Sequence, residues 1–206
     1  MVQVKKPQTR DAILAAAGRL FRKRGYHLTT LSQIAKEAGV STANVYVYFS
    51  SKLGLLYTIY DPWFRARLLR LERSLRRIRD RERRIYRLLH ALWCEVPAES
   101  NSFVNNVMQA VSTSSPADKY EPALLRWAER RVGAMLREAL PPERRKRLDE
   151  DRLAHVVMMA VDGFAIAQHL RPGLRCDHAT LRLMTRLLLD GAAGRSDRGE
   201  RSRRRA

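Results

Sequence analysis

The chain is poor in cysteine: Cys94 and Cys176 are the only two among 206 residues, and neither belongs to a Cys-x-x-Cys pair. That spacing excludes a disulfide-stapled scaffold and a thiolate zinc module, so both read as free thiols in a reducing compartment. The five histidines (27, 90, 155, 169 and 178) form no His-x-His or His-x-x-x-His pair. His155 and Asp162 share one helix face seven residues apart, a pattern that a satisfied core or interface histidine explains more simply than a metal. No Gly-x-Ser-x-Gly elbow, phosphate-binding loop, dinucleotide fingerprint or zinc-finger spacing occurs, and no catalytic constellation is found. The expectation is a protein without metal, cofactor or enzymatic activity.

Long apolar runs are also missing. No segment has the roughly 18 uninterrupted apolar residues of a membrane span. The opening MVQVKKPQTR lacks the apolar region of a secretory signal. The expected location is the cytoplasm, with no membrane partner. Strand-like alternation of apolar and polar residues is absent as well, whereas apolar residues recur at helical spacing almost throughout.

What is abundant is positive charge. Lys and Arg number 40 against 21 Asp and Glu, a formal net charge of +19, while 45% apolar content supplies a real core. Such an excess attracts polyanions and speeds encounter with them. An Arg-rich coding bias accounts for the same bulk figure. Eleven Arg fall between Arg65 and Arg87, against Glu72, Asp80 and Glu82. They read either as a solvated helix face with i,i+4 pairs or as a second surface for an acidic partner.

The pattern opens with three helices. The first runs from about Gln8 to Arg24, with Ile13, Ala16, Ala17, Leu20 and Phe21 on one side and Gly25 after it. Thr30-Leu31-Ser32-Gln33 has capping-box spacing and starts a short helix, Leu31 to Ala38. Gly39 breaks it, Val40 plugs the turn, and Ser41 caps a third helix from Thr42 to Tyr48. Two short helices joined by such a turn make a helix-turn-helix. Further helices are expected at about 52–79, bent near Asp61-Pro62, then at 81–95, 101–114, 118–140, 149–170 and 177–192. Residues 194–206, GRSDRGERSRRRA, read as a disordered basic tail.

Residues Thr29 to Leu56 resemble the TetR family of bacterial repressors. The likeness rests on Thr29-Thr30, Ile34-Ala35, Ala38-Gly39-Val40-Ser41, Tyr46, Tyr48-Phe49, Lys52 and Leu55-Leu56. The resemblance implies an all-α homodimer in which residues 1–50 form a helix-turn-helix domain. Residues 51–193 would then bind a small-molecule effector and dimerise, ahead of the tail at 194–206. It also implies that the effector changes the spacing of the two reading heads. Ala43 and Val47 stand where many family members have Gly and His, a difference that concerns the operator and not the fold.

The expected partner is double-stranded DNA. Phosphate contacts would come from Lys5, Lys6, Arg10 and Lys52, and from the hydroxyls of Thr29, Thr30, Ser41, Tyr46 and Tyr48. Thr42, Ala43 and Asn44 lie in the first turn of the third helix, where base edges are read. Asn44 suits adenine, and Ala43 and the Thr42 methyl suit a thymine methyl. The effector pocket is expected around Tyr86, His90, Trp93, Phe103, Asn106, Met108 and Trp127, although aromatic residues at helical spacing also build plain core. Residues 153–167 are apolar around much of their helix, so Val157, Val161 and Phe164, with Leu181, Met184 and Leu188, are expected at the dimer interface. An effector-independent protein that organises DNA through the same helix-turn-helix is the competing reading.

Overall fold

The computed structural model describes residues 6–100, 102–114, 123–171 and 176–190. Lys5 and the basic tail lie outside the described residues. Among the described residues there are ten α-helices: α1 Pro7–Arg24, α2 Leu31–Ala38, α3 Thr42–Tyr48, α4 Lys52–Arg76, α5 Arg81–His90, α6 Phe103–Ser112, α7 Ala123–Ala139, α8 Pro142–Arg145, α9 Glu150–Leu170 and α10 His178–Asp190. A π-helical turn, Ala91–Glu95, extends α5. No strand occurs among the described residues. The all-α class is as the periodicity predicts, while α8, a single turn after Pro141, is too short to leave a periodic signal.

Local chemistry sets most helix starts. Pro7 opens α1, where a missing N–H costs nothing. The Ser51 hydroxyl accepts from the Gly54 N–H at α4, and the Asp80 carboxylate accepts from the Arg83 N–H at α5. Asp149 caps α9 by accepting from the Asp151 and Arg152 amides. Pro62 stands inside α4 and withdraws one backbone donor from that helix.

α4 joins the two parts of the chain, packing on α1 near its start and on α5, α6 and α7 beyond. Leu55, Leu56, Leu68, Ile85, Leu88, Leu92 and Leu136 are buried along it and around it. α9 lies on α7, α6 and the π-helical turn, and α10 lies on α5. By length and composition alone, Asp151–Leu170 could cross a membrane. Within it Ala154, Val157, Met158, Val161 and Ala165 are buried in the core.

Many of the Arg in the 65–87 run are held. Arg65 pairs with Asp61 and Arg76 with Glu72 one helical turn away. Glu95 gathers Arg67 at 2.8 Å, Arg87 at 3.1 Å and His90 at 3.1 Å. Arg84 donates to the Ile78 and Glu138 carbonyls, and Arg81 to that of Leu140. These guanidiniums close helix ends and tie α4 and α5 to their neighbours.

The two cysteines, 82 residues apart, meet in space. The Cys94 thiol donates to the Cys176 carbonyl at 3.2 Å. Burial, then the neighbouring Cys94, pushes the Cys176 thiol up to about 12. Because the thiolate is the reactive species, Cys176 is expected to resist iodoacetamide at pH 8 in the folded protein and to react once denaturant is added. Peptide mapping by mass spectrometry checks this, and rapid native labelling of Cys176 would contradict it.

Candidate nucleic-acid interface and ligand cavity

The helix-turn-helix is built from short-range bonds. Thr30 and Gln33 form a reciprocal capping box: the Thr30 hydroxyl accepts from the Gln33 N–H at 3.2 Å, and Gln33 Oε1 accepts from the Thr30 N–H at 3.0 Å. Gly39 sits at φ +70°, the left-handed conformation that turns the chain, and the Val40 N–H returns to the Ala35 carbonyl at 3.0 Å. The Ser41 hydroxyl accepts from the Asn44 N–H at 3.1 Å and starts α3. Ile34, Ala35 and Val45 fill the space between the helices and α1. Arg19 of α1 pairs with Glu37 of α2 at 2.7 Å.

This packing leaves an outer face. Tyr46 is 56% exposed, Ala43, Ser41 and Thr30 are exposed, and Thr42 is half-buried with its hydroxyl 3.5 Å from that of Ser32. Lys6 and Arg10 meet the end of α3: the Lys6 N–H donates to the Tyr48 hydroxyl at 2.8 Å, and the Arg10 guanidinium lies 5.8 Å from the Phe49 ring centre.

Three of the expected DNA contacts need correction. Thr29 is fully buried, and its hydroxyl donates to the Gly25 carbonyl at 2.8 Å, closing the α1–α2 loop. Lys52 turns inward: its ammonium donates to the Tyr26 and Thr29 carbonyls at 3.0 and 2.9 Å and lies 4.1 Å from the Tyr26 ring centre. Burial lowers its pKa. A cation so engaged pins the loop to α4 and is not free to meet a phosphate. Asn44 is half-buried, and its side-chain oxygen is enclosed without a hydrogen-bond partner among the described residues. Bidentate pairing with adenine needs that oxygen turned outward. Tyr48 is half-buried and already holds the Lys6 amide.

A cavity of about 390 Å³ lies between α4, α6, α7 and α9. Its described lining comprises Tyr57, Phe64, Phe103, Val104, Val107, Met108, Val111, Ser112, Leu124, Leu125, Met158, Met159, Val161 and Asp162. Size and lining fit a small-molecule site. Asp162 is half-buried there, and desolvation raises its pKa.

Phe103 and Met108 line this cavity as expected; the other five proposed pocket residues do not. Trp93 donates its indole N–H to the Val157 carbonyl at 2.9 Å, and its ring packs on Phe164. Trp127 is half-buried against the core beneath two cations, Arg65 at 4.5 Å and Arg131 at 5.7 Å. His90 bonds Glu95 at 3.1 Å, and the Tyr86 hydroxyl bonds His178. Tyr86 instead borders a wide, open groove with Arg83, Arg87, Arg182 and Arg186, near Asp80 and Glu82.

Asn106, the last of the five, is fully buried on the other face of α6. Its amide donates to the Phe21 carbonyl of α1 at 3.2 Å, to the Tyr60 hydroxyl of α4 at 3.0 Å and to the Ser102 carbonyl at 3.0 Å. One turn on, Gln109 accepts from the His27 N–H at 3.0 Å. A Cβ on Gly25, at φ +77°, would stand 2.9 Å from the Gln109 side chain. α6 therefore faces the cavity on one side and grips the helix-turn-helix domain on the other.

Four of the six expected interface residues are covered within the subunit. Val157, Val161, Leu181 and Leu188 are buried within their own subunit, and Phe164 and Met184 are half-buried. The apolar side chains left exposed are Val156, Met159, Ile166 and Leu170 on α9, and Leu183 and Leu187 on α10. Among the described residues no cluster of three or more metal-ligating side chains occurs, and His155 is bonded to Glu129 at 2.7 Å.

Fold and site together define a helical protein with a helix-turn-helix at its N-terminus and a cavity-bearing helical domain behind it. Residues 13–58 match the family described as bacterial regulatory proteins, tetR family. The regulator HbdR of Aromatoleum sp. (strain CIB) is 35% identical over 91 residues, which are 42% of this chain and 36% of HbdR. The fatty acid degradation regulator FadR of Bacillus halodurans superposes with a TM-score of 0.66 at 20% identity, over 94% of this chain and 100% of that one. A transcriptional regulator of Saccharomonospora viridis, solved in complex with choline, gives a TM-score of 0.58 at 25% identity, over 87% and 94%. Residues 13–58 are thus a domain of the tetR family, and the chain as a whole has the fold of solved TetR-family regulators. It covers 36%, 64% and 45% of the lengths of three curated relatives that it matches.

Proposed function

We propose that the protein is a ligand-responsive, sequence-specific DNA-binding transcriptional regulator, a repressor that a small molecule releases from a palindromic operator. Residues 1–50 are the reading domain, and 51–193 hold the effector and the dimer contacts. The observation that carries this reading is α6, with the cavity on one face and the helix-turn-helix held by Asn106 and Gln109 on the other. An occupant that moves α6 moves the reading head. A preference of a few kcal/mol for one head spacing is enough to shift operator occupancy decisively.

The protein works as a two-fold homodimer in the cytoplasm, with no membrane partner and no turnover of its ligand. The exposed apolar stripes of α9 and α10 meet their counterparts in the second subunit, and the symmetry of the pair sets that of the operator. The effector-independent, DNA-organising alternative is favoured by a filled interior, and the cavity speaks against it.

Selection of operators from random duplexes, followed by gel-shift titration, tests the reading. Tyr46→Ala is expected to weaken operator and unrelated duplex alike, by about tenfold or more, because a hydroxyl on a phosphate carries no base information. Ala43→Asn is expected to change the selected sequence, since it adds a donor and an acceptor on the groove-facing turn. If neither variant alters DNA binding, α3 is not the reading helix.

A further inference from the structure

Asp162 is the one charged side chain among the described residues that line the cavity. Its neighbours there include Phe64, Phe103, Val104, Leu124 and Met158, so the wall is apolar and partly aromatic. Helix α9 has no structural need for a carboxylate at this position: the Asp162 side chain makes no hydrogen bond or ion pair among the described residues. Elsewhere in this chain, carboxylates at helix junctions find cations, as Glu95 and Glu72 do. A desolvated, unpaired charge is costly, and burial alone already pulls Asp162 toward its protonated form. Such a group is at rest only when a ligand supplies the counter-charge.

We propose that the effector is a lipophilic organic cation, an amine or quaternary ammonium whose head lies at Asp162 and whose apolar body fills the cavity. This rests on the reading of the cavity as the effector site. The rings of Phe64 and Phe103 suit the same occupant, because aromatic faces attract cations that have left water. No Lys, Arg or His stands among the described lining residues to receive a carboxylate or phosphate. A fatty acid in this space would set its carboxylate against Asp162.

The test is isothermal titration calorimetry of the full-length protein with octyltrimethylammonium, octanoate and octanol, which share one alkyl chain. The cation is expected to bind most tightly and octanoate most weakly. Asp162→Asn is expected to lose about ten- to hundredfold in cation affinity while keeping its affinity for octanol. Its melting temperature without ligand should rise, because an uncompensated charge is gone. Octanol binding without preference for the cation would overturn the ligand class and leave the cavity as the effector site. Binding of none of the three probes would overturn both. A fall in melting temperature of Asp162→Asn would mean that the carboxylate is partnered in solution, and would overturn the proposal on its own.

Discussion

Replacing Leu183 with glutamate is expected to turn the proposed dimer into a monomer and to cut operator affinity at least about a hundredfold. Leu183 is 57% exposed on α10, and Leu187 lies one turn beyond it on the same side. On α9, Ile166 and Leu170 are left outside the core in the same way. A two-fold axis presents each substitution twice. The loss is then about 3–6 kcal/mol of apolar burial, before the cost of desolvating two carboxylates. A monomer still grips one half-site but forfeits the effective concentration that tethering gives the second. Sedimentation velocity and gel shift read both effects. A variant that remains dimeric and binds operator within about threefold of wild type would remove α10 from the interface. Val157→Glu is the control: Val157 is buried in its own subunit, so that change should unfold the protein before any question of assembly arises.

Asn106→Ala is expected to destabilise the protein by about 2–4 kcal/mol, because it removes a fully buried amide that donates to Tyr60, to the Phe21 carbonyl and to the Ser102 carbonyl, and leaves a gap between α1, α4 and α6. In a chain of this size that lowers the melting temperature by roughly 4–16 °C. Asn106 is fully buried and bonded to α1, α4 and its own helix start at once. Gln109→Ala removes two outer bonds, one from the His27 amide and a long one to Asn105, so its cost should be about 1 kcal/mol. Thermal unfolding of the two variants side by side checks the difference. Equal losses would mean that α6 is not fastened to the reading domain chiefly through Asn106.

The parts of this protein that were legible in its sequence are those written over a few residues. The Thr30–Gln33 box, the left-handed Gly39 and the Ser41 cap each act within one turn, and α2 and α3 have the bounds their residues imply. What was not legible depends on which way a side chain turns once helices meet. Lys52 matches a family position, yet its flexible stem lets the ammonium reach two loop carbonyls 26 and 23 residues earlier. On α9, Val157 and Val161 are covered by the helices of their own subunit, although their apolar spacing equally suits a dimer contact. A 3.6-residue period reports that a face is dry, not whose atoms cover it. The cavity suffered in the same way: Trp93 and Trp127 are large and aromatic, but one spends its N–H on Val157 and the other is half-buried beneath arginines. The useful signal was a misfit, a carboxylate set in the second apolar side of α9.

α4 is a 25-residue rod whose first turns pack on α1 and whose Tyr57 and Phe64 border the cavity. Such a rod is about 37 Å long, close to the repeat of B-form DNA, ~34 Å. With Pro62 leaving one rung of its ladder unmade, the rod can flex without melting. In the proposed dimer the duplex would serve as a caliper: its pitch is fixed, so a modest swing of each rod would register as two heads that no longer fall into successive grooves.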